Sequence, residues 1–131
     1  MNPRLFHLIP VGALEARRGA PHYAPDSFEA EGFCHLSFAE QLAGTLEVHF
    51  TRPGSVLLFE VADLHGSPEL VLEPSRGGAL FPHLYRALAW SELVRFWELT
   101  RAPNENWGLP GLGSTPVKDD PQGLPWSREA F

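Results

Sequence analysis

The sequence has little cysteine and no long apolar run, and each shortage excludes a class of protein. Cys34 is the only cysteine among 131 residues, so the chain cannot form an internal disulfide, which is typical of the reducing cytosol. No apolar stretch reaches the roughly 18 residues that a membrane helix needs, and the N-terminus lacks the pattern of a secretory signal. We therefore expect a soluble, cytoplasmic protein without a membrane partner.

Positive charge is also scarce. The chain has 10 Lys and Arg against 16 Asp and Glu, for a net charge of −6, and only Arg17 and Arg18 are adjacent basic residues. Tracking the phosphates of a nucleic acid requires clustered Lys and Arg, because binding is driven by release of counterions. The composition therefore argues against a nucleic-acid partner.

The residues that are abundant fit one domain with a buried core. Hydrophobic residues make up 44% of the chain and include four Trp and nine Phe, which is enough for a core at this length. Short apolar runs bounded by Pro and Gly predict strands. These predicted strands span residues 4–9, 32–36, 55–61, 70–73, 80–88 and 94–99. The run 55–61 is almost continuously apolar, which predicts a central strand covered on both faces.

Two helices are predicted between these strands. Residues 13–18 form a short one, and residues 20–28 after it form an extended loop. The second begins at Ser37, where Ser37 and Glu40 have the spacing of a capping box and apolar residues follow at helical intervals. We therefore favour a capping role for Ser37 over a role as a nucleophile paired with His35.

The composition changes at Arg101, where Pro and Gly become dense. This predicts one α+β domain over residues 1–100 and an irregular extension over residues 101–131. The extension is expected to pack on the domain, to bind a partner or to pair with a second copy of the chain as a homodimer.

Three histidines stand in or beside predicted strands: His7, His35 and His83. We expect their imidazoles to meet on one face of a sheet. Neutral imidazole binds zinc, but the chain has no His-x-His or Cys-x-x-Cys pair near them, so a metal site is the weaker alternative. The third alternative is a polar patch of hydrogen-bonded histidines. Cys34 points to the opposite face from His35 and is interpreted as a small core residue.

Two carboxylates belong to apolar strands. Glu60 interrupts one run and Glu73 ends another. A carboxylate in such a position is costly unless it is paired or functional. The simpler alternative for Glu60 is a solvent-facing position near the strand end.

Several of these segments together resemble a bacterial family, the "domain of unknown function 952". The resemblance covers about residues 4–99 and depends mainly on Glu31-Gly32-Phe33-Cys34-His35-Leu36-Ser37 and Phe81-Pro82-His83-Leu84-Tyr85. Phe6-His7-Leu8-Ile9, Tyr23, Gln41 and Val56–Val61 agree with it in order and approximate spacing.

The resemblance implies a fold related to that of ADP-ribosyltransferases. This is a small, curved, split mixed β-sheet with peripheral helices around a cleft for a nicotinamide nucleotide. The cleft is then expected to bind NAD or ADP-ribose, and the resemblance implies glycosyl (ADP-ribosyl) transfer as the associated activity. The residues expected to bind are His7, Tyr23, His35, Ser37 and Tyr85, and those expected to catalyse are His83 and Glu60.

Three functions follow from this pattern. The chain is an enzyme of the ADP-ribosyltransferase type, a non-catalytic module that binds a nucleotide, or a metal-binding protein or hydrolase. The usual catalytic glutamate of the transferases has no clear match, which favours binding over transfer.

Overall fold

The strand Gly54–Val61 (β3) lies at the centre of the first of two three-stranded sheets. In the computed structural model, which describes residues 2–17, 19–51 and 54–109, it is flanked by Leu5–Pro10 (β1) and Leu93–Arg101 (β6), both antiparallel to it. Its middle residues are buried, and both its edges are paired. The central strand predicted from the apolar run is confirmed.

The second sheet is smaller and adjoins the first. Its strands are Cys34–His35 (β2), Leu80–Leu84 (β5) and Leu70–Pro74 (β4), in the order β2-β5-β4. A bridge joins the two sheets: the Phe6 N–H donates to the Ser37 carbonyl at 2.9 Å, and the Ser37 N–H to the Phe6 carbonyl at 2.8 Å.

The expectation of a mixed sheet is wrong. All strand pairs in the described ranges are antiparallel. Residues 75–79 alone connect β4 to β5, and so short a connection permits only an antiparallel neighbour, because a parallel pair needs a crossover of a dozen residues or more. The predicted α+β class is confirmed, and the strands form two separate sheets.

In the part of the chain that the structure describes, three α-helices surround the sheets: Val11–Ala16 (α1), Ser27–Glu31 (α2) and Leu42–His49 (α3). The helix α1 begins two residues before the predicted one. The helix α2 begins inside the predicted loop, and Gly32 ends it with a left-handed φ of 84°. None of the helices in the described part of the chain is long and apolar enough to cross a membrane.

Ser37 does not cap a helix, contrary to the prediction. A 3₁₀ turn at Ala39–Gln41 leads into α3, and the Gln41 side-chain oxygen accepts the N–H of Phe38 at 3.0 Å. Ser37 is still part of the bridge between the sheets, and its hydroxyl lies 3.5 Å from that of Thr45. The helical turn begins only after Ser37, so the side chain of Gln41, and not that of Ser37, makes the hydrogen bond at the start of the turn.

Two hydrophobic clusters cover the two faces of the first sheet. One lies between the sheets and contains Leu57, Phe59 and Val61 of β3 together with Cys34 and Leu84. The other lies under α3, and contains Leu42 and Leu46 of that helix with Val56, Leu58 and Trp97. The alternation along β3 therefore sends successive side chains into different cores.

The start of the C-terminal extension packs on the domain. The indole N–H of Trp107 donates to the Phe50 carbonyl at 2.9 Å, and the Arg101 guanidinium lies 5.3 Å from the Trp107 ring centre. Residues 102–109 contain no helix or strand. The prediction that the extension is irregular or pairs with a second copy otherwise falls on residues 110–131, outside the described residues.

Candidate functional site

A cavity of about 520 Å³ lies beside the junction of the two sheets. Ligand pockets commonly have volumes of roughly 300–1,000 Å³. Four of the residues predicted to bind line it: His7, Tyr23, His35 and Ser37. The bridge between Phe6 and Ser37 brings them together, because it places the middle of β1 next to the end of β2.

His7 is buried in the wall of this cavity and has a free acceptor. Its Nδ1 lies 2.7 Å from the His35 carbonyl, which can only accept, so Nδ1 carries the proton. Burial lowers the pKa of His7 to about 4, so the ring is neutral near pH 7. The other nitrogen, Nε2, is therefore an acceptor, and it has no partner among the described residues.

His35 is oriented by a carboxylate. Its Nε2–H donates to Glu31 at 2.8 Å, and about half of its side chain is exposed. Glu31 ends α2 and His35 lies in β2, so the turn at Gly32 and Phe33 brings the two together. The second nitrogen of His35 is then available as an acceptor when the ring is neutral.

Tyr23 contributes a hydroxyl that keeps its proton. Its ring packs edge-on against His7, with ring centres 5.6 Å apart, and against Trp90 at 5.8 Å. Burial raises the pKa of Tyr23 far above its usual range. A backbone bridge to Leu88 holds Tyr23 in a segment that the sequence predicted only as a loop.

Several polar residues of the wall were not predicted. They are Asp26, Ser27, Glu31, Thr45, His49, Ser75 and Arg76. Among the described residues of the lining Arg76 is the only arginine, and it lies in a 3₁₀ turn between β4 and β5. The sequence feature that could have indicated this turn is Gly77-Gly78. Both glycines have left-handed φ angles, of 69° and 80°, which favour glycine at a turn.

His83 and Tyr85 lie in a separate cluster beside the cavity. Phe33 stacks on His83 with ring centres 4.1 Å apart, and His35 contacts the same ring edge-on at 5.1 Å. Glu73 accepts from His83 at 2.9 Å and from Tyr85 at 2.6 Å, and these hydrogen bonds lower the pKa of Glu73. The expected convergence of three imidazoles is therefore only partly correct: His7 and His35 line the cavity, and His83 does not.

Glu60 also lies outside the cavity. It accepts two hydrogen bonds from Arg4, at 2.9 and 2.7 Å, and lies 3.7 Å from Arg95. Its side chain is 17% exposed, and its two arginine partners are about 40% exposed, so Glu60 is a paired carboxylate near the strand end. The apolar strand tolerates this carboxylate because it is paired.

Cys34 lies in the core rather than in the cavity. Cys34 is fully buried, its thiol lies 3.4 Å from the Arg86 carbonyl, and burial raises its pKa to about 12, which confirms it as a core residue. Within the described ranges, no three His, Cys, Asp or Glu side chains are grouped so that they could hold a metal ion.

Comparisons with known proteins identify similar chains. A family model described as "Protein of unknown function (DUF952)" matches residues 8–96. A crystal structure of the Caulobacter crescentus protein CC0527 is 30% identical, with a TM-score of 0.70, and the match covers 81% of this chain and 94% of that one. A solution NMR structure of CC0527 is 31% identical, with a TM-score of 0.65 and coverage of 84% and 93%. No curated protein matches this chain.

Proposed function

Because the chain belongs to the DUF952 family, as its motifs indicated, and the description of that family gives no activity, we propose a function from the cavity itself. The cavity binds a nucleotide of the NAD or ADP-ribose type. The relation to the ADP-ribosyltransferase fold is part of this proposal. The observation that carries it is His7, a buried neutral imidazole with an unpartnered acceptor in the wall of a 520 Å³ cavity.

The polar groups of the wall suit a ribose and a carboxamide. Nε2 of His7 is shielded from solvent in the ligand-free protein, so a ribose hydroxyl or a nicotinamide N–H donates to it once the groups that cover it move aside, while the Tyr23 hydroxyl donates to a ligand oxygen. Ser37 can both donate and accept. A buried acceptor without a partner costs free energy, and a ligand that donates to it recovers that cost on binding.

Binding without transfer is better supported than catalysis. The two carboxylates in the described lining, Asp26 and Glu31, already pair with Arg17 and His35. The predicted catalytic residues His83 and Glu60 lie outside the cavity, so neither faces the ligand directly. ADP-ribosyl transfer is therefore the second candidate, and its catalytic assignment stays a prediction.

A thermal-unfolding panel with NAD, ADP-ribose and nicotinamide tests the proposal. A ligand at about 100 times its Kd stabilises the native state by about 2.7 kcal/mol, which raises the midpoint. His35→Ala should reduce the shift, because its half-exposed ring is lost from the wall. His22→Ala, at an exposed histidine outside the lining, is the matched control. The proposal fails if none of these ligands raises the wild-type midpoint.

A further inference from the structure

We infer that Arg76 forms an anion subsite in the cavity wall, which takes the phosphate or pyrophosphate of the ligand. The inference deepens the proposed function and rests on it for the identity of the rest of the ligand. Arg76 is half-buried and lines the cavity together with Ser37 and Thr45. Three observations support this role.

The guanidinium is held in place before any ligand binds. It donates to the Thr45 hydroxyl at 3.3 Å and to the Gln41 carbonyl at 3.4 Å, and it lies 5.0 Å from the centre of the Phe81 ring. A Cβ atom at Gly44 would lie 2.8 Å from Nη2 of Arg76. Helix α3 therefore has a glycine where the guanidinium packs against it, and this preorganisation lowers the entropic cost of binding.

The charge of Arg76 is not compensated by a carboxylate. No Asp or Glu of the described residues forms an ion pair with it, and only two hydrogen bonds use its five N–H donors. Acidic residues are not in short supply, since the chain has 16 of them against 10 basic residues. Four other arginines of the described residues, Arg4, Arg17, Arg86 and Arg95, have carboxylate partners, whereas Arg101 donates to backbone carbonyls.

The neighbouring groups suit a phosphate. The Ser37 hydroxyl lies 3.5 Å from that of Thr45, which already donates to the Gln41 carbonyl at 3.0 Å. Ser37 is therefore the hydroxyl next to the subsite that can donate to a phosphate oxygen. The planar guanidinium can donate two parallel hydrogen bonds to one phosphate. The carboxylates of the lining do not oppose an anion here, because Asp26 and Glu31 are paired with other residues.

An NMR titration with inorganic pyrophosphate tests the subsite without the nucleoside. In wild-type protein, pyrophosphate should shift the Gly77 and Gly78 amides and the Arg76 side-chain N–H. Arg76→Gln should abolish the amide shifts, whereas Arg95→Gln, which removes the same charge outside the cavity, should retain them. Amides that do not respond in wild type, or that still respond in Arg76→Gln, would overturn the inference.

A calorimetric comparison of ADP-ribose with adenosine connects the subsite to the proposed function. Wild type should prefer ADP-ribose, and Arg76→Gln should lose at least about tenfold of that preference, as expected for a charge-assisted hydrogen bond. Adenosine affinity should stay unchanged. An undiminished preference in Arg76→Gln contradicts the inference. Binding of pyrophosphate without binding of ADP-ribose or adenosine supports the subsite and contradicts the proposed nucleotide.

Gly44→Ala separates a functional role of Arg76 from a structural one. The added methyl group displaces the guanidinium without removing its charge. Pyrophosphate affinity should fall several-fold in this variant, while alanine in the helix leaves the protein at least as stable as wild type. Unchanged pyrophosphate affinity in Gly44→Ala would show that binding does not depend on the position of the Arg76 guanidinium.

Discussion

His7 is buried without a charge, and this determines how the protein responds to mild acid. Burial lowers its pKa to about 4, whereas an unfolded histidine has a pKa near 6.5. Between these values the unfolded state binds the proton more readily than the native state. The contribution of His7 to stability is therefore fully present above pH 6.5, and it is lost as the pH falls from 6.5 to 4.

His7→Gln should flatten this dependence. From pH 7 to pH 5, wild type should lose about 2 kcal/mol of unfolding free energy through His7. The reason is that the unfolded histidine takes up a proton over most of this interval, whereas the native one does not. Glutamine does not titrate, so urea unfolding of the variant should show that much less loss over the same interval. His22→Ala is the control and should keep the wild-type slope. Equal slopes in wild type and His7→Gln would show that His7 is not buried as described.

Cys34 gives a second test at the scale of a residue. Its thiol is fully buried and its pKa is raised to about 12, so almost no thiolate exists at pH 8. A thiol reagent should therefore react with the native protein only through unfolding, at a rate that increases steeply in urea. Rapid stoichiometric reaction in buffer would contradict this burial.

The residues of the cavity were predictable to different degrees. His7, Tyr23, His35 and Ser37 could be identified because they stand in recognisable motifs. Arg76 could not, since an arginine in a Pro- and Gly-rich loop has no periodicity to indicate where its side chain points. The burial that defines the state of His7 also depends on the contact with His35, 28 positions away.

At the scale of the element, α3 closes the outer core through two leucines. Leu42 and Leu46 are fully buried against the first sheet, whereas Val48 of the same helix is 52% exposed. A helix of eight residues is not stable alone, so its stability depends on this packing. The apolar positions of α3 were predictable from helical spacing, but its start was not, because the bridge at Ser37 is a tertiary contact.

Leu46→Ala should therefore lower the unfolding free energy by about 2–5 kcal/mol, through lost burial and the cavity that remains. Val48→Ala is the matched control on the same helix and should change it by less than about 0.5 kcal/mol, as for an exposed site. Urea unfolding measures both values. Similar small effects in the two variants would show that α3 does not cover the core.

At the scale of the whole molecule, the two sheets differ in protection. Strand β3 is paired on both sides and lies between two cores, whereas β4 is an edge strand with Val71 and Leu72 exposed. The sequence predicted the strands of both sheets, because their apolar runs are local. It did not predict the all-antiparallel pairing, which depends on which strands meet in space.

Native-state hydrogen exchange should reflect this difference. The amides of Leu57 and Leu58 in β3 should open only with global unfolding and exchange most slowly. Those β4 amides that do not pair with β5 should exchange through local opening, at a much lower free energy. Equal protection of the two strands would indicate that another element covers the β4 edge.

An NMR map of ADP-ribose binding on ¹⁵N-labelled protein tests the central claim most directly. If ADP-ribose binds in the cavity, the amides that shift should belong to residues in its wall or next to it, namely Tyr23, His35, Ser37, Thr45 and Gly77. Amides around Glu60, which pairs with Arg4 on the first sheet, should not shift. If ADP-ribose shifts no amides at saturating concentration, or shifts only those around Glu60, the cavity is not a nucleotide site.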